Sequence, residues 1–422
     1  MTIDRLPRRR AAVLIAGAPL LLSACGRNPG QQPNAPQESG GSDPTAPPTT
    51  PEASPTTPPV EPMTVSGNVD DGAEEVTVDT IVKFTAAHGT LTKVVVSAPV
   101  KDRKTGETTN EKVPGSLNKD KTVWKATDGL EPGVPYTVKW TGKGTDGTKT
   151  SGKQTFRTHE LTLDQQIFPS IYPLGGTVGV AMPVIITFDI PVKDRANVEK
   201  HLHVDASPKQ PGSWYWVSDS EVHYRPKTYW KAGTKITVDA RLNGVKAGKG
   251  LYGQLTRTWS FDIGRRVVAK VDLAKHQVVV AINGKKARTI KMSAGKDGFI
   301  TRSGTKVISE KLRTTPMRSE TEDVNDPEYY DLDNVRWAMR VTNSGEFFHA
   351  APWNAAFFGN SNRSHGCVGM SNADAKWLFE NMNIGDPAEF TGSKRGLEQG
   401  NGYTDWTLSW AQVKKKSALR GD

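Results

Sequence analysis

Thiols are scarce in this chain: 422 residues hold only 2 cysteines, Cys25 and Cys367, which excludes a disulfide framework as the source of stability. Histidine is nearly as thin, with 8 residues, and no three of them cluster with metal-ligand spacing. His201 and His203 alternate as on one strand face, but with no third ligand nearby they read as surface histidines. No glycine-rich phosphate loop follows a strand-like run, so no nucleotide, metal or other cofactor is expected. The apolar run from Ala11 to Leu22 falls short of the ~20 residues a membrane-spanning helix needs. Helical periodicity is missing from residues 63–264, which excludes a helical bundle there. The formal net charge is +10, yet no basic stripe concentrates on one helix, and nucleic acid is not an expected partner.

The first residues are organised for export. Arg5, Arg8, Arg9 and Arg10 precede the apolar run, and Leu22-Ser23-Ala24-Cys25 closes it: a charged region, a short apolar region and a small-residue cleavage site. Cysteine directly after the small residues resembles a lipobox, which implies a signal peptide over 1–24, a lipid on Cys25, and a protein held on the outer face of the cytoplasmic membrane facing the wall. Cleavage would remove four arginines and Asp4 and leave the chain basic, suited to an anionic wall and lipid headgroups. Residues 25–62 are rich in Pro, Gly, Gln, Ser and Thr and offer almost nothing to bury, so they read as a disordered tether that sets the distance from the bilayer.

The remaining length is enough for three cores. Leu130-Glu131-Pro132-Gly133-Val134-Pro135-Tyr136-Thr137-Val138 reappears as Trp230-Lys231-Ala232-Gly233-Thr234-Lys235-Ile236-Thr237-Val238. Each copy is followed by a Gly- and Lys-rich turn and a closing strand, Gln154 to Thr158 and Arg257 to Asp262. Two Val- and Thr-rich units with alternating patterns predict tandem immunoglobulin-like β-sandwiches over 63–158 and 159–264. Trp124, Trp140, Trp214, Trp216, Trp230 and Trp259 read as core or edge cover in these strands rather than as a glycan platform.

The third unit, 265–392, opens with a hairpin. Val278, Val280 and Ile282 alternate into Asn283-Gly284, the pair suited to a type I′ turn, and Ala287 to Met292 returns. One helix follows Ser371, which caps it with Asp374 three residues on; Trp377, Leu378 and Met382 form its apolar stripe and Gly385 with Asp386-Pro387 ends it. Pro387 to Thr391 is a strand, and residues 393–422 are a tail whose Trp406 and Trp410 dock on a folded domain. The fold class expected is mainly β, two immunoglobulin-like sandwiches and a β-rich domain with one or two helices.

With Cys25 consumed by lipid, Cys367 is an unpaired thiol in an exported protein, a place where a retained thiol reads as reactive machinery. It lies in Ser364-His365-Gly366-Cys367, and His349 stands upstream at the end of the run Gly345-Glu346-Phe347-Phe348. A thiol attacks carbonyls as thiolate, so it needs a group that takes its proton, and histidine suits that near neutral pH. No acidic residue is placed to orient His349; a backbone carbonyl in the Ala350–Pro352 turn can serve. Gly366 allows the backbone to turn so that the amides of Gly366 and Cys367 face an oxyanion. His365 is either a second base or a residue that fixes the loop or touches substrate. Arg363 either meets a carboxylate or is solvated.

His349 followed by Ser364-His365-Gly366-Cys367, in a β-rich domain behind two sandwiches and a lipobox, resembles the mycobacterial-type L,D-transpeptidases with a YkuD-type catalytic domain. The similarity runs from the lipobox to residue 391, and residues 345–372 are its diagnostic part. The resemblance implies a Cys367 nucleophile, His349 as general base and Ala350 as its backbone orienter. It also implies that Ser364, His365 and Gly366 form the motif around the oxyanion site, Tyr330 is a lid tyrosine and Trp353 a pocket wall. It implies peptidoglycan stem peptides as partners: a thioester on a tetrapeptide donor, release of D-alanine, and a 3→3 cross-link made by a diaminopimelate-type acceptor. Two departures stand out. Gly369 replaces the family's usual Asn two positions after the cysteine, which removes an amide from the donor side and bears on carbapenem reactivity. Thr301-Arg302-Ser303-Gly304 replaces Thr-Pro-x-Gly, keeping the glycine. The remaining readings are an L,D-carboxypeptidase, a ligase joining proteins to peptidoglycan, and a wall-binding scaffold without turnover.

Overall fold

The computed structural model describes residues 60–101 and 108–420; Cys25, the lipobox and nearly all of the expected tether lie outside them. β-Structure dominates. The first sandwich sets a four-stranded sheet, containing Lys83–Ala87 and Val123–Ala126, against a five-stranded one built on Gly89–Lys101, Pro135–Gly144 and Lys149–Thr158. Phe84, Leu91, Trp124, Leu130 and Val138 fill its core. The second sandwich packs a sheet containing Val184–Phe188 and Glu221–Pro226 on one containing Lys235–Arg241 and Thr256–Ile263.

The internal repeat is structural. Leu130 and Trp230 are both buried at the start of equivalent turns. Gly133 and Gly233 both take positive φ, 68° and 77°, where a side chain would be strained. Tyr136 and Val138, like Ile236 and Val238, then point into their cores. Trp124, Trp214, Trp216 and Trp230 are buried, while Trp140 and Trp259 pack at the core margins. The indole N–H groups of Trp214 and Trp230 donate to the Leu202 and Met182 carbonyls at 3.0 and 2.8 Å, satisfying the polar edge of each buried ring. The second sandwich also carries a short helix, Arg195–Glu199, capped by Asp194 accepting from the Asn197 amide. As a result His201 lies before the strand Leu202–Ser207 and bonds through Nδ1 to the Asn197 carbonyl, so it does not share a strand face with His203.

The third unit is built on a nine-stranded sheet in the order Gly304–Val307, Pro387–Thr391, Val267–Asp272, Gln277–Ile282, Lys285–Ser293, Val368–Met370, Phe347–Ala350, Asp331–Arg340, Glu310–Arg318. Asn283 and Gly284 turn the hairpin with φ of 50° and 80°, as a type I′ turn requires. The helix Asn372–Asn381 is capped by Ser371 Oγ accepting from the Asp374 amide at 3.1 Å, and it buries Ala375 and Leu378 against the sheet.

Backbone bonds join the sheet to the second sandwich: the Gly179 amide donates to the Ile384 carbonyl at 2.7 Å and the Ala181 amide to Gly385 at 2.8 Å. A β-carbon at Gly179 would meet the Asp386 nitrogen at 2.0 Å, so only glycine permits this approach. The tail crosses the same joint. Arg302 binds Glu398 at one end, and at the other the Arg225 guanidinium lies 4.4 Å from the Trp406 ring centre while the Trp406 indole donates to Ala181.

Candidate active site

Sheet register sets the segments that bear His349 and Cys367 side by side. The strands Phe347–Ala350 and Val368–Met370 run parallel, pairing Phe348 with Val368, His349 with Gly369 and Ala350 with Met370. Phe348, Ala350, Val368 and Met370 belong to the buried core. Side chains alternate along a strand, so His349 and Gly369 face the other way, and Cys367 immediately precedes the strand that carries Gly369. Gly369 leaves that face bare beside the imidazole. A β-carbon at Gly369 would lie 2.7 Å from the Ala351 β-carbon, so with Ala351 in place a side chain would require the neighbouring strand to give way.

The imidazole is fixed from behind. Its Nδ1 sits 2.8 Å from the Ala350 carbonyl oxygen. A carbonyl only accepts, so Nδ1 carries the proton and Nε2 presents a lone pair. Burial lowers the His349 pKa below its ordinary value, and the Ala350 carbonyl opposes this only in part. The ring is therefore neutral near pH 7. Desolvation likewise pushes the half-buried Cys367 thiol up to about 11, with the Phe347 backbone hydrogen bond acting against it, the Glu346 carboxylate adding to it, and Lys306 and Arg340 acting against it. At rest the site holds a neutral thiol, donating to the Gly345 carbonyl at 3.4 Å, and a neutral imidazole.

The motif loop is tightly tied. Ser364 Oγ donates to the Cys367 carbonyl at 2.6 Å and accepts from the Gly366 amide at 3.2 Å, while Thr301 Oγ1 donates to the Gly366 carbonyl at 2.8 Å. Gly366 adopts φ of 126°. Its amide is thus engaged by Ser364, which leaves the Cys367 amide as the better placed of the two expected oxyanion donors. Trp353, half exposed, stacks near His349 with ring centres 6.0 Å apart. The Tyr330 ring lies 4.9 Å from that of His365. Arg363 turns elsewhere, its guanidinium over the Phe357 ring at 4.9 Å.

Several charged groups at the site were missed by sequence reasoning. Glu346 is buried behind the motif loop, where it accepts from the Arg302 amide at 3.1 Å and guanidinium at 2.9 Å and from the fully buried Lys306. A proline at position 302 could not supply that amide, so the departure from Thr-Pro-x-Gly adds an anchor. Glu328 binds His365 and Lys296 at the mouth. The signal for Glu346 was present, an acid inside an apolar strand-like run; Glu328 offered none. A cavity of about 710 Å³ contains neither Cys367 nor His349; it opens where Tyr229, Trp230, Arg266 and Trp406 meet. Among the described residues no three His, Cys, Asp or Glu side chains converge to hold a metal.

A thiol, a neutral imidazole and a turned backbone amide on one sheet form the constellation of a cysteine acyl-transfer site. Comparison with known proteins narrows it. A family model described as a bacterial Ig domain matches residues 73–246, across both sandwiches, and one described as an L,D-transpeptidase catalytic domain matches residues 266–389. The chain is 34% identical over 361 residues to L,D-transpeptidase 2 of Mycobacterium tuberculosis, covering 84% of this chain and 85% of that protein. It is 35% identical over 317 residues to L,D-transpeptidase 5 of the same species, covering 73% and 68%. A solved L,D-transpeptidase from Mycobacterium smegmatis aligns over 54% of this chain and 99% of its own, at 30% identity and a TM-score of 0.44. The chain belongs to the L,D-transpeptidase family.

Proposed function

We propose that this protein is a cell-wall L,D-transpeptidase that forms 3→3 cross-links between peptidoglycan stem peptides through a Cys367 thioester. The observation that supports the reading is the parallel pairing of the strand bearing His349 with the strand that begins directly after Cys367, together with the Ala350 carbonyl on Nδ1, which leaves Nε2 with a free lone pair. His349 takes the thiol proton as sulfur bonds to the carbonyl carbon of the donor tetrapeptide. The Cys367 amide steadies the oxyanion. Collapse breaks the bond to the terminal D-alanine, whose nitrogen receives the proton from His349. The side-chain amine of a diaminopimelate-type acceptor then attacks the thioester, its proton passes to His349, and the thiolate leaves and is reprotonated. Trp353 and Tyr330 wall the site, and no cofactor takes part.

Cys25 fits a lipid anchor on the outer face of the cytoplasmic membrane, with residues 25–62 as the tether reaching towards the wall. The domain boundaries proposed are 63–158, 159–264 and 265–392, followed by the tail. Mass spectrometry of residues 60–422 with a disaccharide-tetrapeptide tests the activity, alongside Cys367→Ala. A dimer lighter by one D-alanine, absent from the variant, is the expected result. A tripeptide product would instead make the protein an L,D-carboxypeptidase, and no product from the folded chain would favour a scaffold.

A further inference from the structure

At the mouth of the site one carboxylate is held by two donors. Glu328 Oε2 lies 2.5 Å from His365 Nε2 and 2.5 Å from Lys296 Nζ. His365 belongs to the motif two residues before Cys367. Lys296 is fixed against the same loop, because its amide donates to the Ser364 carbonyl at 2.9 Å, and Gly295 bridges Ser364 in parallel register. Both donors therefore sit on the rigid, cysteine-bearing side. Glu328 does not. It belongs to the excursion 319–330 between the strands Glu310–Arg318 and Asp331–Arg340, whose two ends are closed on each other by the Ser319 amide donating to the Tyr330 carbonyl at 2.9 Å.

The surroundings shape this place for a planar anion. The Phe299 ring meets the His365 ring edge-on at 4.4 Å and Tyr330 lies across it at 4.9 Å, while Lys296 Nζ stands 5.5 Å from the Phe299 centre. His365 Nε2 donates to a carboxylate in either charge state of the ring, and Lys296 supplies the charge. Glu328 is about one-third exposed, so this pair is open to exchange with a solute rather than locked in the core.

We propose that Lys296 and His365 form a carboxylate subsite beside the nucleophile, that Glu328 occupies it in the free enzyme, and that the free terminal carboxylate of the acyl donor displaces Glu328 on binding. This rests on the transpeptidase reading and deepens it. An acyl donor cleaved at its last peptide bond carries a carboxylate one residue from the scissile carbonyl, and a subsite for it distinguishes a chain end from an internal bond. Displacement also releases the 319–330 excursion from the motif loop, so binding and lid position become coupled.

The test uses two donor tetrapeptides, one ending in a free carboxylate and the other in a carboxamide, with wild type, Lys296→Met and Glu328→Gln, each checked for folding by its thermal midpoint. Wild type should favour the free acid by about tenfold or more in kcat/KM, the scale of one charge-assisted hydrogen bond. That preference should collapse in Lys296→Met, whereas Glu328→Gln should lower KM for the acid while affecting the carboxamide less. An undiminished preference in Lys296→Met, or an unchanged KM in Glu328→Gln, would overturn the proposal. A second readout needs no turnover. N-acetyl-D-alanine should slow alkylation of Cys367 by iodoacetamide, N-acetyl-D-alaninamide should not, and the protection should vanish in Lys296→Met. Protection without turnover would refute the transpeptidase reading and leave the subsite standing; turnover without protection or acid preference would do the reverse.

Discussion

Two buried histidines in this chain are opposites. His223, in the second sandwich, has a carboxylate on each ring nitrogen: Asp405 Oδ1 at 2.8 Å from Nδ1 and Glu221 Oε1 at 2.7 Å from Nε2. Burial alone would pull its pKa down, but the carboxylates outweigh burial and raise it to about 9. His349 has a backbone carbonyl on Nδ1 and its pKa falls. The same side chain is thus a structural cation in one place and a neutral imidazole in the other. A carbonyl fixes a tautomer without stabilising the protonated ring as fully as a carboxylate does, which suits the proton-transfer role proposed for His349. His223 instead clips the tail to the sandwich, since Asp405 lies beyond the catalytic sheet in sequence and is also bound by the Tyr215 hydroxyl.

The largest effect should come from the neutral member. His349→Ala is expected to lower acyl transfer by about 10²–10⁴-fold, with the thermal midpoint much less affected, and Cys367→Ala should abolish transfer altogether. An unchanged rate in His349→Ala would move the base role to His365. The proposed base works only when neutral, and its folded pKa lies below the ordinary 6.5, so kcat/KM should hold down to about pH 6.5 and decline in more acidic solution. A decline already complete at pH 7 would mean that the imidazole is stabilised as a cation like His223.

Asp405→Asn breaks the other member while keeping its shape. Removing one partner of a buried ion pair costs about 3–5 kcal/mol, and a loss near the lower end is expected in urea unfolding, since Glu221 remains. The linkage has a definite sign. His223 has a raised folded pKa, so its stabilisation is complete below pH ~6.5 and is lost as pH rises through about 9. His349 has a depressed one, so its contribution is present above ~6.5 and is lost as pH falls. Wild-type stability should therefore decline between pH 7 and 9.5, and Asp405→Asn should flatten that slope. An equal slope in both proteins would assign the alkaline loss to other groups.

The two histidines also differ in how far the sequence reveals them. His349 sits in a strand-like run with a recognisable motif downstream, and local rules suffice for its surroundings: alternation places it on a strand, Asn283-Gly284 turns a hairpin, and Ser371 with Asp374 starts a helix. His223 gave no such signal. Its buried partner, Asp405, is 182 positions away, and pairing at that separation leaves no periodicity to read. Glu328 with His365 and Gly179 against Asp386 were hidden for the same reason. Trp406 and Trp410 did announce that the tail docks, because exposed aromatics in a polar segment are costly, but not where. The resting charge state of the thiol was not legible either, since it depends on desolvation by residues that only the fold assembles.

The smallest expected effect discriminates within the His223 site. Glu221 and Asp405 bind the ring at nearly equal distances, 2.7 and 2.8 Å, so geometry alone would rank them together. Their surroundings do not. The Asp405 side chain is 1% exposed and that of Glu221 is 36% exposed, so water already screens the Glu221 pair and replaces its bonds when it breaks. Glu221→Gln should cost no more than about 1 kcal/mol, and the alkaline slope should persist with its midpoint moved slightly down. A loss matching that of Asp405→Asn would mean that the two carboxylates act as one unit around the cation, and the double variant would then cost little beyond either single change.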